Sequence, residues 1–259
     1  MRASVLTALA LAAGTALATP ALAVELTLGA GAALAPDYEG SDDYVGVPLW
    51  NIRAGNLYGE DTFVQVLGTS LSSNFLPDAH WRLGAAGLYK FDYNNVDNRR
   101  VQDVKGTNAA MLLGPTVGYD FLPDREADLA VELDALYDVL NGKGGVVTPR
   151  VRGRTVLAPG LIGEARVSTT WGSADYMGNW FSINNRDSER SGLDSYDADE
   201  GFKDVAIGGS MTYRFAERWA LVGFAAYSRL LGDAADSPIV DDEGDANQFV
   251  TGALVNYTF

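Results

Sequence analysis

Three arginines, Arg150, Arg152 and Arg154, alternate along one short segment, and Glu132 and Asp134 recur at the same spacing in the segment before it. A period of two puts all three guanidinium groups on one face of a β-strand. A hairpin centred near Gly142 and Lys143 sets Asp134 opposite Arg152 and Glu132 opposite Arg154, and a turn at Ala158 and Pro159 brings Glu164 and Arg166 alongside from a third strand. Such a ladder of mixed charges has two uses. It can pair across strands, at roughly 0.2–1 kcal/mol per pair, and so fill a polar interior. It can also line a charged constriction that selects small solutes. An arginine exposed to lipid at the bilayer midplane costs about 2–4 kcal/mol, so in a membrane wall this face must look inward.

Other chemistry is scarce. Carboxylates crowd into residues 36–44, 193–201 and 241–245, among turn formers. Carboxylate oxygens are natural ligands of Ca²⁺ or Mg²⁺, but the stretch opening at Asp197 has Gly208 where a calcium loop carries its bidentate glutamate, so these read as solvated turn acids and no metal or cofactor is expected. Arg229 leaves a segment for a loop in which Asp233 and Asp236 are within reach of it. The chain has one histidine, His80, and no cysteine. Neither Gly-x-Ser-x-Gly nor a phosphate-binding Walker loop occurs, so a non-enzymatic protein is expected.

The elements that must position the ladder are strands. Hydrophobic residues make up 47% of the chain, yet the mean hydropathy is −0.02, because apolar residues alternate with polar ones instead of gathering in blocks. After the leader no run approaches the roughly 20 apolar residues of a membrane helix. Alternating segments lie at 24–34, 43–54, 57–74, 80–93, 107–121, 126–140, 145–157, 160–172, 202–215, 218–231 and 247–259. Leu129, Val131, Leu133, Ala135 and Tyr137 share one face, while Asp128, Glu132, Asp134 and Asp138 share the other. Tight joints alternate with long acidic ones, Ser173 to Gly201 and Gly232 to Ala246 among them, which is the pattern of short periplasmic turns and long external loops. Tyr119 and Phe121, Tyr213 and Phe215, and Tyr257 and Phe259 each close a segment, tracing one aromatic girdle at a membrane interface and, at Phe259, an assembly signal. Only helices and closed barrels satisfy their backbones in lipid. The expected fold is therefore all-β: a closed antiparallel transmembrane β-barrel of ten to twelve strands, twelve if residues 57–74 hold two short ones.

Residues 1–23 read as a secretory leader, with Arg2, an apolar stretch from Val5 to Leu17, and Ala21-Leu22-Ala23 as cleavage site. Residues 24–259 then form one barrel domain. The net charge of −15 argues against nucleic acid as a partner. Such an exported barrel belongs in the outer membrane of a Gram-negative cell, among its lipid and lipopolysaccharide.

A family resemblance is carried by Tyr213-Arg214-Phe215 with Trp219 and by three longer stretches. The three are Pro36 to Tyr44, with Asp37, Tyr38, Gly40 and Asp42; Tyr196-Asp197 followed by Gly201-Phe202-Lys203-Asp204; and Tyr227 to Val240, with Arg229, Asp233 and Asp236. In these the chain resembles the MltA-interacting protein family, also called MipA/OmpV. The resemblance implies an outer-membrane barrel and brings no catalytic residues. It further implies a scaffold for peptidoglycan (murein) machinery in the cell envelope, linking a lytic transglycosylase to a penicillin-binding synthase, while other members are described as adhesins or implicated in drug susceptibility. Two functions stand side by side at this stage: an interaction protein, and a small-solute channel built on the charge ladder.

Overall fold

The computed structural model describes residues 24–104, 107–123 and 126–259; the leader lies outside them. Alternation produces strands wherever it was read. The first five are β1 (Glu25–Pro36), β2 (Tyr44–Gly55), β3 (Phe63–Leu67), β4 (Ser70–Asn74) and β5 (Trp81–Lys90). Seven more follow: β6 (Ala110–Asp120), β7 (Ala127–Asp138), β8 (Gly145–Ala158), β9 (Leu161–Gly172), β10 (Gly201–Ala216), β11 (Trp219–Leu230) and β12 (Asn247–Thr258). Each pairs antiparallel with its neighbour in sequence, and β1 pairs with β12, so the sheet closes on itself. Residues 57–74 do hold two short strands, β3 and β4, and the count is twelve. Closure pairs every strand with a neighbour on both sides along at least part of its length, as hydrocarbon demands because it offers no hydrogen bonds to an open edge.

The two faces of the wall follow the pleat. Leu28, Ile52, Leu83, Val131, Leu221 and Val255 stand exposed on the outside, whereas Asn51, Asp134 and Arg152 are buried on the inside. At the end with the short turns the outward aromatics gather. Tyr119 meets Trp81 at 4.9 Å and Phe121 at 5.1 Å, and Tyr257 meets Trp219 and Phe259, each at 4.8 Å between ring centroids. Tyr213 and Phe215 stand outward and half-exposed on the same rim. His80 is structural there: its Nδ1 bonds the Asp120 carbonyl oxygen at 2.8 Å and its ring stacks on Tyr119.

At the other end the acidic loops do not spread into solvent as expected. They carry five short helices, α1 (Arg99–Gln102), α2 (Ala174–Phe181), α3 (Asn185–Ser191), α4 (Gly232–Ala235) and α5 (Pro238–Asp241), which fold across the mouth. Tyr176, Met177, Trp180 and Phe181 recur at helical spacing, so α2 has one apolar side to bury. That side packs against Tyr93, Val101, Leu193, Ile239 and Val240, forming a core above the barrel. Burying a side chain as large as Trp180 or Phe181 contributes about 1.5–3 kcal/mol, which offsets the cost of ordering the loops. Sequence reading missed this cap because charge dominates the loop composition; the spacing within 176–181 was the available signal.

A closed ring should resist unfolding in detergent until heated. Unheated and boiled samples of the folded protein should therefore migrate differently on a gel; identical migration, with solubility in the absence of detergent, would contradict the closed ring.

Candidate functional site

The charge ladder exists, in a different register from the one expected. The β7–β8 hairpin pairs Tyr137 with Gly145, Asp134 with Thr148, Glu132 with Arg150, Ala130 with Arg152 and Asp128 with Arg154. The turn explains the shift. Asp138 accepts the amide hydrogens of Leu140 and Asn141 and its own N–H donates to the Gly144 carbonyl at 2.9 Å. Gly142 and Gly144 take φ of 66° and 68°, a region glycine enters without strain. The reversal is thus centred at Asn141, two residues earlier than expected. A pairing shift of an even number keeps every side chain on its face, so the charges still point inward but change partners.

Arg150 donates to Glu132 at 3.0 Å and to Asp134 at 2.9 Å. Arg152 bonds Asp128 at 2.6 Å and Glu132 at 3.2 Å, so Asp134 is not its partner, and Asp128 is a member of the ladder the sequence reading left out. Arg154 lies 3.7 Å from Asp128. From β9, Arg166 stands opposite Arg152 and Glu164 opposite Arg154. Asp134 also accepts from the Thr116 hydroxyl at 2.6 Å. Four arginines thus face four carboxylates. Selectivity rings built from one sign of charge are one route to ion selection; here the two signs are equal in number. Polar pairing continues round the lower lumen, where Arg82 pairs with Asp120 at 3.2 Å and Asn51 bridges Gln65 and Asn256.

A second charged centre holds the cap to the wall. Glu39, in the loop after β1, forms ion pairs with both Lys90 of β5 and Lys203 of β10. Lys203 also pairs with Asp204. These neighbours face inward together because β10 bulges between Phe202 and Asp204, and a bulge re-aims one side chain. Lys90 bonds the Tyr176 hydroxyl at 2.9 Å and lies 3.8 Å above the Trp180 ring, a cation–π contact that reaches into the cap core. Burial alone would raise the Glu39 carboxyl, but Lys203 and Lys90 hold it well below the usual carboxylate range. Glu39 sat in view within the Pro36–Tyr44 stretch and was read as a solvated turn acid; its partners lie 51 and 164 residues away, a distance no local pattern spans.

The residues that carried the family resemblance brace the same cap. Asp37 accepts the Asp97 amide hydrogen at 2.7 Å. The Tyr38 hydroxyl donates to the Glu243 carbonyl at 2.7 Å, and its ring meets Tyr93 at 5.4 Å. The Gly40 amide donates to the side chain of Gln248. Tyr196 bridges Ile183 through the backbone, and Asp233 accepts the Asp199 amide hydrogen. Asp236 closes α4 as its C-cap. Asp42 and Asp197 lie in the same loops. Arg229 does not pin its loop through Asp233 or Asp236: it donates to the Asn247 side chain at 2.9 Å. Odd-numbered residues of β11 point outward, whereas that loop folds inward over the mouth. Among the described residues no group of three or more histidine, aspartate or glutamate side chains is placed to hold a metal ion.

In sequence the chain matches a family model and known outer membrane proteins. A family model described as MltA-interacting protein MipA matches residues 28–259. The outer membrane protein OmpV of Vibrio cholerae serotype O1 is 28% identical over 246 residues, covering 80% of this chain and 91% of that protein. The MltA-interacting protein of Escherichia coli K12 is 27% identical over 104 residues, covering 40% of this chain and 42% of its own. An outer membrane channel from Pseudomonas putida F1 superposes with a TM-score of 0.49 at 12% identity, over 91% of this chain and 95% of that one.

The two charged centres respond differently to mutation. Arg152→Ala leaves Asp128 only the 3.7 Å contact with Arg154 and Glu132 only Arg150, and should destabilise the barrel by roughly 1–3 kcal/mol, while Arg154→Ala, at a longer and more exposed pair, should cost about 0–1 kcal/mol. Equal shifts of the two urea midpoints would contradict this register. Because the folded-state carboxyl of Glu39 is depressed, its contribution is complete above the ordinary glutamate value of about 4.3 and is lost progressively as pH falls below it. Acid should therefore loosen the cap, and Glu39→Gln should loosen it already at neutral pH, read as faster amide hydrogen exchange in α2 with the wall strands unchanged.

Proposed function

The chain belongs to the MltA-interacting protein MipA family, and on that premise we propose that it is a non-enzymatic, non-conducting outer-membrane barrel acting as an interaction scaffold for peptidoglycan-remodelling machinery. It is an outer-membrane β-barrel protein of a Gram-negative envelope, like the outer membrane proteins it matches, with its outward faces set in lipid and lipopolysaccharide.

The observation that carries the scaffold reading is the cap. Trp180, Phe181 and Ile239 are fully buried in a core across the outer mouth, and below it Arg82, Arg150, Arg152 and Arg154 are paired with carboxylates. A barrel filled in this way suits a role in which surfaces matter more than the bore. The surface available to a periplasmic partner is the rim of short turns, where Glu25, Arg214, Glu217, Arg218, Trp219 and Thr258 line a notch of about 110 Å³. Charged and aromatic side chains together at a concave rim fit protein recognition. The partner is a lytic transglycosylase, the enzyme class behind the name of the Escherichia coli relative, with a penicillin-binding synthase as its counterpart.

In planar bilayers the protein should be silent, and cross-linked envelopes should yield a lytic transglycosylase on pull-down. Reversing charge on the rim with Arg214→Glu and Arg218→Glu should reduce that capture while the heat-modifiable form persists. Steady conductance without capture would overturn the scaffold in favour of a small-solute channel.

A further inference from the structure

The wall is not equally tall all the way round. β3 and β4 have 5 residues each, against 10 in β5 and 12 in β2. Their turn at Gly68 and Thr69 stops partway up, where Gly68 N–H donates to Trp50 O and Tyr89 N–H to Thr69 O, both at 2.9 Å. Above it, Tyr44 to Leu49 of β2 pair with β1 on one side. On the other side, among the described residues, no strand meets them. Loops close the opening at the top, where Asp37 meets Asp97, Tyr38 meets Tyr93 and Glu39 meets Lys90. The result is a window above the β3–β4 turn, bounded by roughly 20 Å of β2 on one side and by Lys90 and the loop after β5 on the other. Because the short turns mark the periplasmic side, it opens at the level of the outer leaflet.

Three features suit the residues to that opening. Main-chain groups of alternate residues point the same way, and the Trp50 carbonyl bonds Gly68, so Pro48, Gly46 and Tyr44 aim theirs into the window. Pro48 has no N–H to leave unpaired, the placement proline takes on strand edges. A Cβ added at Gly46 would meet no atom within 4 Å, so the backbone there is open to approach from the lipid side. Finally, the lumen beside the window departs from the polar rule. Val45, Val47, Leu49, Phe224 and Val250 face inward and stay half-buried, on the side of the ring away from the charge ladder of β7 to β9.

We propose that this window is a lateral port through which the acyl chain of an outer-leaflet lipid enters the barrel and lies against Val47, Leu49 and Phe224. The exposed belt of Leu34, Trp50 and Ile52 continues through the window onto that inner apolar wall, so a tail passes from hydrocarbon to hydrocarbon-like surface without meeting water. Its polar linkage, an ester or amide, comes level with the Gly46 backbone. An added protein strand suits the edge less well, because Pro48 lacks the hydrogen bond that strand pairing needs there.

The native chain has no cysteine, so single thiols report cleanly. Val47→Cys and Phe224→Cys, each labelled with a fluorophore and placed in phosphatidylcholine vesicles whose acyl chains carry bromine, should lose fluorescence as the outward control Leu34→Cys does. Thr148→Cys, inward on the charged side, should keep its signal. Phe224 is the stricter position, because three strand spacings separate it from the window and a label there cannot reach the bilayer by itself. Quenching no greater than at Thr148, or at Val47 alone, would overturn the port. Quenching by aqueous iodide in place of brominated lipid would show a water-filled lumen and overturn it as well. Protection from both quenchers together with a dimeric mass would assign the edge to a second copy. Should either variant lose its heat-modifiable form, Leu49→Cys and Val250→Cys take its place.

Discussion

Hydrocarbon offers the backbone no hydrogen bonds, and from that constraint the rest of the molecule follows. A sheet placed in it must close, and closure gives every strand one face toward lipid and one toward a confined lumen. The outward series Leu129, Val131, Leu133 and the inward series Asp128, Glu132, Asp134 are one strand read from its two sides. Charges excluded from lipid must then find partners inside, because a lone buried charge is far more costly than a paired one. Where closure is incomplete along the upper edge of β2, proline replaces a donor and glycine replaces a side chain.

The lumen shows how weakly charge complementarity alone specifies register. Pairing Asp134 with Arg152 and pairing it with Arg150 are electrostatically similar, since carboxylates and guanidinium groups alternate with the same period on both strands. The choice falls to the turn, where Asp138 caps the reversal and two glycines accept left-handed geometry. In that register Arg150, Arg152 and Arg154 all find carboxylates among Asp128, Glu132 and Asp134, so these pairs brace the wall.

The cap rests on Glu39 in a comparable way. Three elements distant in sequence, the first loop and the outer ends of β5 and β10, meet at one half-buried carboxylate beside the aromatic core of α2. The bulge at Lys203 shows how a local defect in a strand serves a tertiary demand. With the outer mouth covered, the accessible chemistry of the molecule lies at the periplasmic rim and along the lipid-facing wall, which is where a scaffold and a lipid port would each operate.

Fold and orientation were legible in the amino-acid sequence because they depend on period-two alternation, turn residues and strand-end aromatics, all local signals. The two short strands within residues 57–74 belong there too, since a closed barrel with both ends on one side needs an even count. The family resemblance was legible for a related reason: its residues cluster in short contiguous stretches such as Pro36 to Tyr44. The partners of Arg152, the lysine partners of Glu39, the outward aim of Arg229 and the cap core were decided only in three dimensions. Each depends on which residues a turn, a bulge or a folded loop brings together across tens to hundreds of positions, and a charge pattern of period two is compatible with every even shift of register.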